Sequence, residues 1–543
     1  MVHNVTRLER MKLRSLAQKT HADVCSGLLH NARDVLEQLR AEGSDEARAW
    51  EAAIVCARRL VDADAGPCPD LEGLTGPAAL LAVAHREREA LIGWDLPALE
   101  RMAAVRARIG GTDRGERRAA AWAKILRGEV EGLADEGRAL HAAGSQAQDA
   151  SMVIDAQLVR AMAALTEDDL EEATSLARRA SRMARTEGLR GERFLASILL
   201  ARVRRRAGRP HLATRILSAL TPIAPPPWQG WLVWERVLAG SRIFLESDTD
   251  PLVGAPDVPA VRAAASLIGW LRAARAGDAE AFDERRDATL AHTAGFRDMV
   301  REAPALAAAL DPRVAIGEVP PRLGAWARGD EEETPAGLHG IVGPPDGPAD
   351  STIASVVARP DRAPRRILRV AVPLLQAEGD DPMRLERTRL RRGRVDTAVA
   401  ALALAGAKGL PDPVLFEKAY EFEFVPSLHA GILDVLVHRM RARLEGAATV
   451  HRGGGTLRLE PHGVLVLPDP RCVEHVEDRL LRVIARHGGV TTRQAAQELD
   501  VSVRTAQLAL RRLLESGDCV LNRDGRRVEY LVEDTTFTEP TRY

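Results

Sequence analysis

The first three hundred residues of this 543-residue chain repeat one spacing almost without interruption. From Leu170 to Thr186, Leu170, Ala173, Ala177, Ala180 and Ala184 step by three and four, while Arg178, Arg179, Arg182 and Arg185 take the other side. That spacing lines one face of an α-helix and no face of a strand. Glu192 to Ala207 repeats it through Leu195, Ile198, Leu199 and Val203. Gly208-Arg209-Pro210 breaks the run, and Leu212, Ile216, Leu217 and Leu220 begin another. A single amphipathic hairpin is too small to bury its apolar face, so such units must stack on their neighbours.

The connections between these helices look alike. Ala207-Gly208-Arg209-Pro210 and Ala276-Gly277-Asp278 lie 69 residues apart, about twice the 34-residue period of a tetratricopeptide repeat. Residues 1–310 therefore resemble a degenerate tetratricopeptide array. The resemblance implies an α-solenoid with a concave face for a protein or peptide partner. A non-repetitive helical bundle also fits, because no strict period survives. Pro225-Pro226-Pro227 is followed by Trp228, Trp231 and Trp234, whose spacing puts three rings near one helix face. They form either an aromatic ligand groove or a core patch between two helices.

Composition narrows the class. At 45% hydrophobic and 28% charged residues, with a net charge of −1, the chain reads as a water-soluble protein. Of 76 Lys and Arg, only Lys12, Lys19, Lys124, Lys408 and Lys418 are lysine, so arginine is abundant everywhere and an Arg cluster carries little weight alone. Five scattered Cys without a CxxC pair suggest free, buried thiols in a reducing cytoplasm. No signal peptide and no membrane-spanning run are expected. Between Leu310 and Pro364 Pro and Gly become dense around the acidic run Asp330-Glu331-Glu332-Glu333, so 311–350 reads as a linker. Ile353–Ala358 and Ile367–Val372 then read as short strands.

The stretch from Tyr420 to Leu459 reads as a helix and then a hairpin. Pro426 and Ser427 open the helix and Gly446 stops it, with Leu428, Ile432, Val435, Met440 and Leu444 near one stripe. Thr449 to Leu459 reads as strand, Gly453-Gly454-Gly455 turn, strand. Leu433-Asp434-Val435-Leu436-Val437-His438-Arg439-Met440-Arg441-Ala442-Arg443-Leu444-Glu445, followed by Val450-His451-Arg452-Gly453-Gly454-Gly455-Thr456-Leu457, resembles the recognition helix and wing of OmpR/PhoB-type DNA-binding domains. Leu436 stands where that family usually has His, and Thr456 replaces its wing aromatic. The resemblance implies a winged-helix domain over 351–468. It places His429, Ile432, Val435 and Arg439 toward base edges, and Arg441, Arg443, Arg452 and Arg458 toward phosphates. No receiver domain is present, so switching by a phosphoacceptor Asp is not expected.

A second unit follows over 469–535, ahead of a tail at 536–543. Val473 to His487 is an amphipathic helix, and Thr491 caps a short one ending at Leu499. Asp500-Val501-Ser502 turns into Val503–Leu514, and Val520 to Leu531 is a hairpin around Asn522-Arg523-Asp524-Gly525. The order and the Thr, Ala, Leu and Ser positions resemble DeoR and MarR-like winged helix-turn-helix modules. That resemblance implies base contacts from Arg504 and Gln507, with Arg511, Arg523 and Arg526 supplying charge. Residues 474–532 hold ten Arg and nine acids, a net of +1, so this unit alone should bind DNA poorly.

Catalytic signatures are missing: there is no GxxxxGK[ST], HExxH, GxSxG or strand-linked GxGxxG. His21, Cys25 and His30 lie within ten residues, but their spacing matches no common zinc pattern and they read as core residues. The expectation is a mainly α chain: an N-terminal solenoid followed by two α+β winged-helix domains. The expected function is a cytoplasmic, bacterial-type transcriptional regulator that binds duplex DNA, is not an enzyme, and has no metal or cofactor. A homodimer is compatible with it. The alternative is a scaffold or complex subunit whose winged helices make protein–protein contacts.

Overall fold

The computed structural model describes residues 7–531, apart from 65, 111–112, 208, 240–250, 294–296, 312–313, 315–353, 369–370, 380, 386–392, 473–475, 488, 516–517 and 525–526. The chain is mainly helical. Among the described residues fifteen helices come first: α1 (Arg7–Cys25), α2 (Ala32–Glu42), α3 (Asp45–Val61), α4 (Gly76–Ile92), α5 (Leu96–Ile109), α6 (Asp113–Arg127), α7 (Leu133–Gln146), α8 (Ala150–Thr166), α9 (Leu170–Thr186), α10 (Arg190–Arg206), α11 (Pro210–Leu220), α12 (Gln229–Leu238), α13 (Pro259–Ala276), α14 (Ala279–Thr293) and α15 (Arg297–Leu310). From α3 to α11 each helix packs on the next in sequence.

One connector recurs among these helices. Trp94, Gln148, Asp168 and Gly188 each take a left-handed backbone, with φ of 56°, 53°, 61° and 68°. Each is followed by the N-cap of the next helix. The cap's own N–H donates back into the helix before, as Asp95 does to Ala90, Asp149 to Gly144, Asp169 to Ala164 and Leu189 to Ala184. Three of these caps are Asp, whose side chains accept from the N–H groups of Ala98, Met152 and Glu172. One three-residue link thus satisfies the end of one helix and the start of the next. It turns the chain sharply, so consecutive helices lie side by side.

The core of this region is continuous and rich in Ala, which lets the helices approach closely. Trp228, Trp231 and Trp234 are fully buried in it. Trp94 meets Trp231 and Trp234 edge-on at 5.8 and 5.6 Å, and Trp228 Nε1 donates to the Leu60 carbonyl at 2.9 Å. Of the two readings of these tryptophans the core patch is the one found: the rings fill the core. The faces of α6, α8 and α10 are not left open either, because α15 packs on α6 and α8. Its buried Glu302 pairs with Arg202 and Arg205 of α10, which also bind Glu235 of α12 at 2.5 and 2.9 Å.

Two mixed units follow. The first holds β1 (Ala354–Ala358), β2 (Arg365–Leu368), α16 (Val372–Ala377), β3 (Met383–Arg384), α17 (Arg394–Ala405), β4 (Leu410–Pro411), α18 (Asp412–Tyr420), α19 (Pro426–Arg443), β5 (Ala448–Gly453), β6 (Thr456–Pro461) and β7 (Leu465–Pro468). Its sheets run β2-β1-β7-β3 and β4-β6-β5. The strand expected over Ile367–Val372 ends at Leu368, and Val372 instead starts a helix, since Pro373 cannot donate to a ladder. The unit sits against the helical region through α13 and α15. Gly277, at φ +75°, ends α13 where the Pro373 carbonyl would lie 2.9 Å from any Cβ, so the close approach depends on glycine.

The second unit holds α20 (Val476–His487), α21 (Thr492–Leu499), α22 (Val503–Glu515), β8 (Val520–Asp524) and β9 (Arg527–Leu531). Its core includes Leu212 of α11, which is buried with Leu480, Leu481, Ile484, Ala506 and Leu510. Arg209 pairs with the buried Asp518 across the same boundary. Among the described residues no helix is long and apolar enough to cross a membrane.

Candidate nucleic-acid interface

Helix α19 and the β5–β6 hairpin form one corner of the first unit. The hairpin turns at Gly454 and Gly455, both left-handed at φ 59° and 72°, which a two-residue hairpin turn of this hand requires. Strand β4 adds to its other edge, with Leu410 opposite Leu457. A Cβ on Gly409 would collide with the Leu457 carbonyl there.

The apolar face of α19 is not the one that the spacing suggests. Leu433, Leu436, Val437, Met440 and Leu444 are buried, whereas Leu428, Ile432 and Val435 are 70%, 42% and 51% exposed. The run carries apolar residues on most of its circumference, so periodicity alone does not select a face. Packing against α17 and β5 selects it. Leu436, which stands where OmpR/PhoB-type helices usually carry His, joins this core. Ile432, Val435 and Arg439 are left on an outward face, and His438 is exposed beside them. His429 is half-buried. Its ring stacks on Phe416 at 4.8 Å, and its Nδ1 accepts from the Val425 N–H at 2.8 Å. That bond caps the helix start in place of Ser427.

The basic residues fall into two groups. Arg439 and Arg458 are exposed and make no ion pair among the described residues. The others are engaged. Arg441 Nε donates to the Val450 carbonyl at 3.3 Å, tying helix to hairpin. Arg443 pairs with Asp396 at 3.3 Å. Arg452 lies between Asp412 and Asp434 at 2.7 and 2.5 Å, and hydrogen bonds to both hold its pKa above the ordinary arginine value. Two carboxylates around one guanidinium cancel its charge locally, so Arg452 is a brace between α18, α19 and β5.

In the second unit Thr491 and Gln494 form a reciprocal cap at the start of α21. Asp500, left-handed at φ 50°, turns the chain, and Ser502 Oγ accepts from the Thr505 N–H at 3.0 Å to start α22. Buried Ala495, Ala496 and Ala506 let the two helices cross closely. Arg504 and Gln507 are exposed near the start of α22 and bind no other described residue. Arg511 pairs with Glu515 at 2.9 Å and Arg512 with Glu477 at 2.7 Å. Arg523 is exposed, and Arg526 lies outside the described residues.

Elsewhere the structure brings together residues that the sequence did not. His30 is exposed and apart, but His21 and Cys25 meet His85 of α4, their donor atoms all within 4.8 Å. Burial lowers the pKa of His21 to about 4. Burial first, then Glu192, pushes the Cys25 thiol up to about 12. Burial, His21, Arg118 and Arg88 keep His85 well below the usual range. The expectation of uniformly buried thiols also needs correction, since Cys68 is exposed.

Neither family models nor curated proteins nor solved structures give a match to this chain.

Proposed function

We propose that this chain is a DNA-binding regulator in which two winged-helix units read duplex DNA and the helical region couples them to a protein or peptide partner. The observation that carries the reading is a shared arrangement. In each unit the last helix, α19 or α22, precedes a hairpin and presents outward polar side chains that bind no other described residue: Arg439 in one, Arg504 and Gln507 in the other. Arg458 and Arg523, both exposed and without an ion pair among the described residues, add positive charge on the two hairpins. Arg suits guanine and Gln suits adenine in a major groove, and hairpin arginines suit phosphates. With α6, α8 and α10 covered by α15, a peptide partner would need another face of the helical region.

The scaffold reading is kept by one observation. Leu428, Ile432 and Val435 on α19, and Val503 and Leu508 on α22, expose more apolar surface than base reading needs. Such rows suit a protein partner. Retention of the full chain on mixed duplex fragments at low salt, lost as salt rises, is the outcome expected for DNA binding. The double change Arg504→Ala, Gln507→Ala should then shorten the footprint by one site. Absence of duplex retention at low salt would leave the scaffold reading standing.

A further inference from the structure

Cys25 and His21 stand one turn apart on α1, at i and i+4, so both side chains leave the same face near the helix end. His85 arrives from α4. The two imidazole Nε2 atoms are 2.8 Å apart, and the Cys25 Sγ lies 3.8 Å from one and 3.9 Å from the other. Three donors thus converge from two helices on one point. Trp50 walls the His21 side, ring to ring at 6.2 Å. A bare core triad of this kind has no packing advantage, since three polar atoms face one another and share a single short contact.

We propose that His21, Cys25 and His85 form a zinc site, with a fourth position open to water or a small ligand. A tetrahedral zinc with bonds of about 2.3 Å to sulfur and about 2.0 Å to nitrogen sets its sulfur and nitrogen donors about 3.5 Å apart and its two nitrogens about 3.3 Å apart. The sulfur is within a few tenths of an ångström of that geometry. The imidazoles must separate by roughly half an ångström, which small χ rotations supply. Each imidazole binds zinc through a ring-nitrogen lone pair of its neutral form. The thiol must give up its proton on binding, which makes affinity rise with pH. Zinc with one thiolate and two neutral imidazoles carries a net charge of +1. Nearby Glu192 offsets that charge, while Arg88 and Arg118 oppose it and are themselves held by Asp155 and Glu87.

The test uses the full chain, stripped with a chelator and titrated with Co(II). The expected result is one equivalent with the visible bands of a tetrahedral ion and a near-ultraviolet thiolate-to-cobalt band, both removed by Zn(II). Cys25→Ser should abolish the thiolate band. His85→Gln should weaken zinc binding at least as far as the roughly 10–100-fold that losing a mere supporting partner costs. A wild-type spectrum without the thiolate band, or binding unchanged in both variants, overturns the site. If the variants unfold, thiol alkylation of the wild-type chain decides: Zn(II) should protect Cys25 and leave exposed Cys68 reactive. Equal labelling of Cys25 with and without Zn(II) overturns it as well.

Discussion

The two C-terminal units present the same order, helices and then a hairpin, but they are stabilised differently. The first closes its helix-and-hairpin half on its own core, in which Leu402, Phe416, Leu433, Met440 and Leu457 are fully buried. A third strand, β4, supports the hairpin, and Arg441 and Arg452 brace it. Among its described residues the second has three helices, one of eight residues, and a two-stranded hairpin. A two-stranded hairpin is marginal by itself. This unit completes its core with Leu212 and anchors Asp518 to Arg209, both contributed by the helical region. A helix-and-hairpin unit can therefore be self-supported or lent support, and only the second kind should respond to changes in the helical region.

The largest effect that separates the two should come from Asp469, just after β7. It is fully buried between Arg366 at 2.7 Å and Arg471 at 2.9 Å. Asp469→Ala removes the carboxylate that two buried guanidiniums share and should cost about 3–5 kcal/mol by denaturant unfolding. Hydrogen exchange should show the loss in β1, β2 and β7 while α20–α22 stay protected. Equal loss in both units would mean that they unfold as one. Acid adds a second check. Burial alone would raise the Asp469 pKa, but Arg471 and Arg366 outweigh it and hold it at about 2, below the ordinary 3.8. The folded pKa is depressed, so this contribution is present above pH 3.8 and is lost as pH falls toward 2. The same sheet should loosen in that window in the wild type and not in Asp469→Ala.

Next in size is Leu212→Ala. Removing a buried leucine side chain should cost about 2–5 kcal/mol, depending on how far the site collapses. Exchange should quicken at Leu480–Ile484 and Ala506–Leu510, with α17–α19 unaffected. Unchanged protection there would show that the second core is self-sufficient, and the contrast would fail.

The smallest effect compares two arginines of one hairpin. Arg458→Ala should flatten the salt dependence of duplex binding by about one unit, as loss of one phosphate contact does. Arg452→Ala should change that slope less, because Arg452 is already neutralised, and should cost about 0.2–1 kcal/mol of stability as a surface ion pair. Equal slopes for the two variants would return Arg452 to the phosphate-facing group.

Helices were the most legible part of the chain. Leu170–Thr186 lies where its spacing puts it, and so does the Thr491 cap with Gln494, because each depends on residues within one turn. The true regularity of the helical region was harder to see. It lies in a left-handed residue before each cap, and Trp94, Gln148, Asp168 and Gly188 share no side-chain type. The buried face of α19 was misread because a helix apolar on most sides has no preferred inside until a neighbour covers one. His85 could not be linked to His21 in advance, since 64 residues separate them and no spacing rule spans a fold.

Sequence alone determined the helical character, the breaks at Gly and Pro, the three-residue spacing of the tryptophans, and which side chains can donate, accept or carry charge. These follow from period and from residue chemistry, which act locally. Tertiary structure decided which arginines remain free, since a charge two residues from a turn becomes a brace or a contact according to what folds beside it. It likewise decided that α15 covers α6 and α8, that Leu212 belongs to a core begun nearly 270 residues later, and that two histidines and a cysteine meet. Those facts depend on the packing of distant segments, which buries apolar surface wherever the chain can reach and carries the polar groups with it.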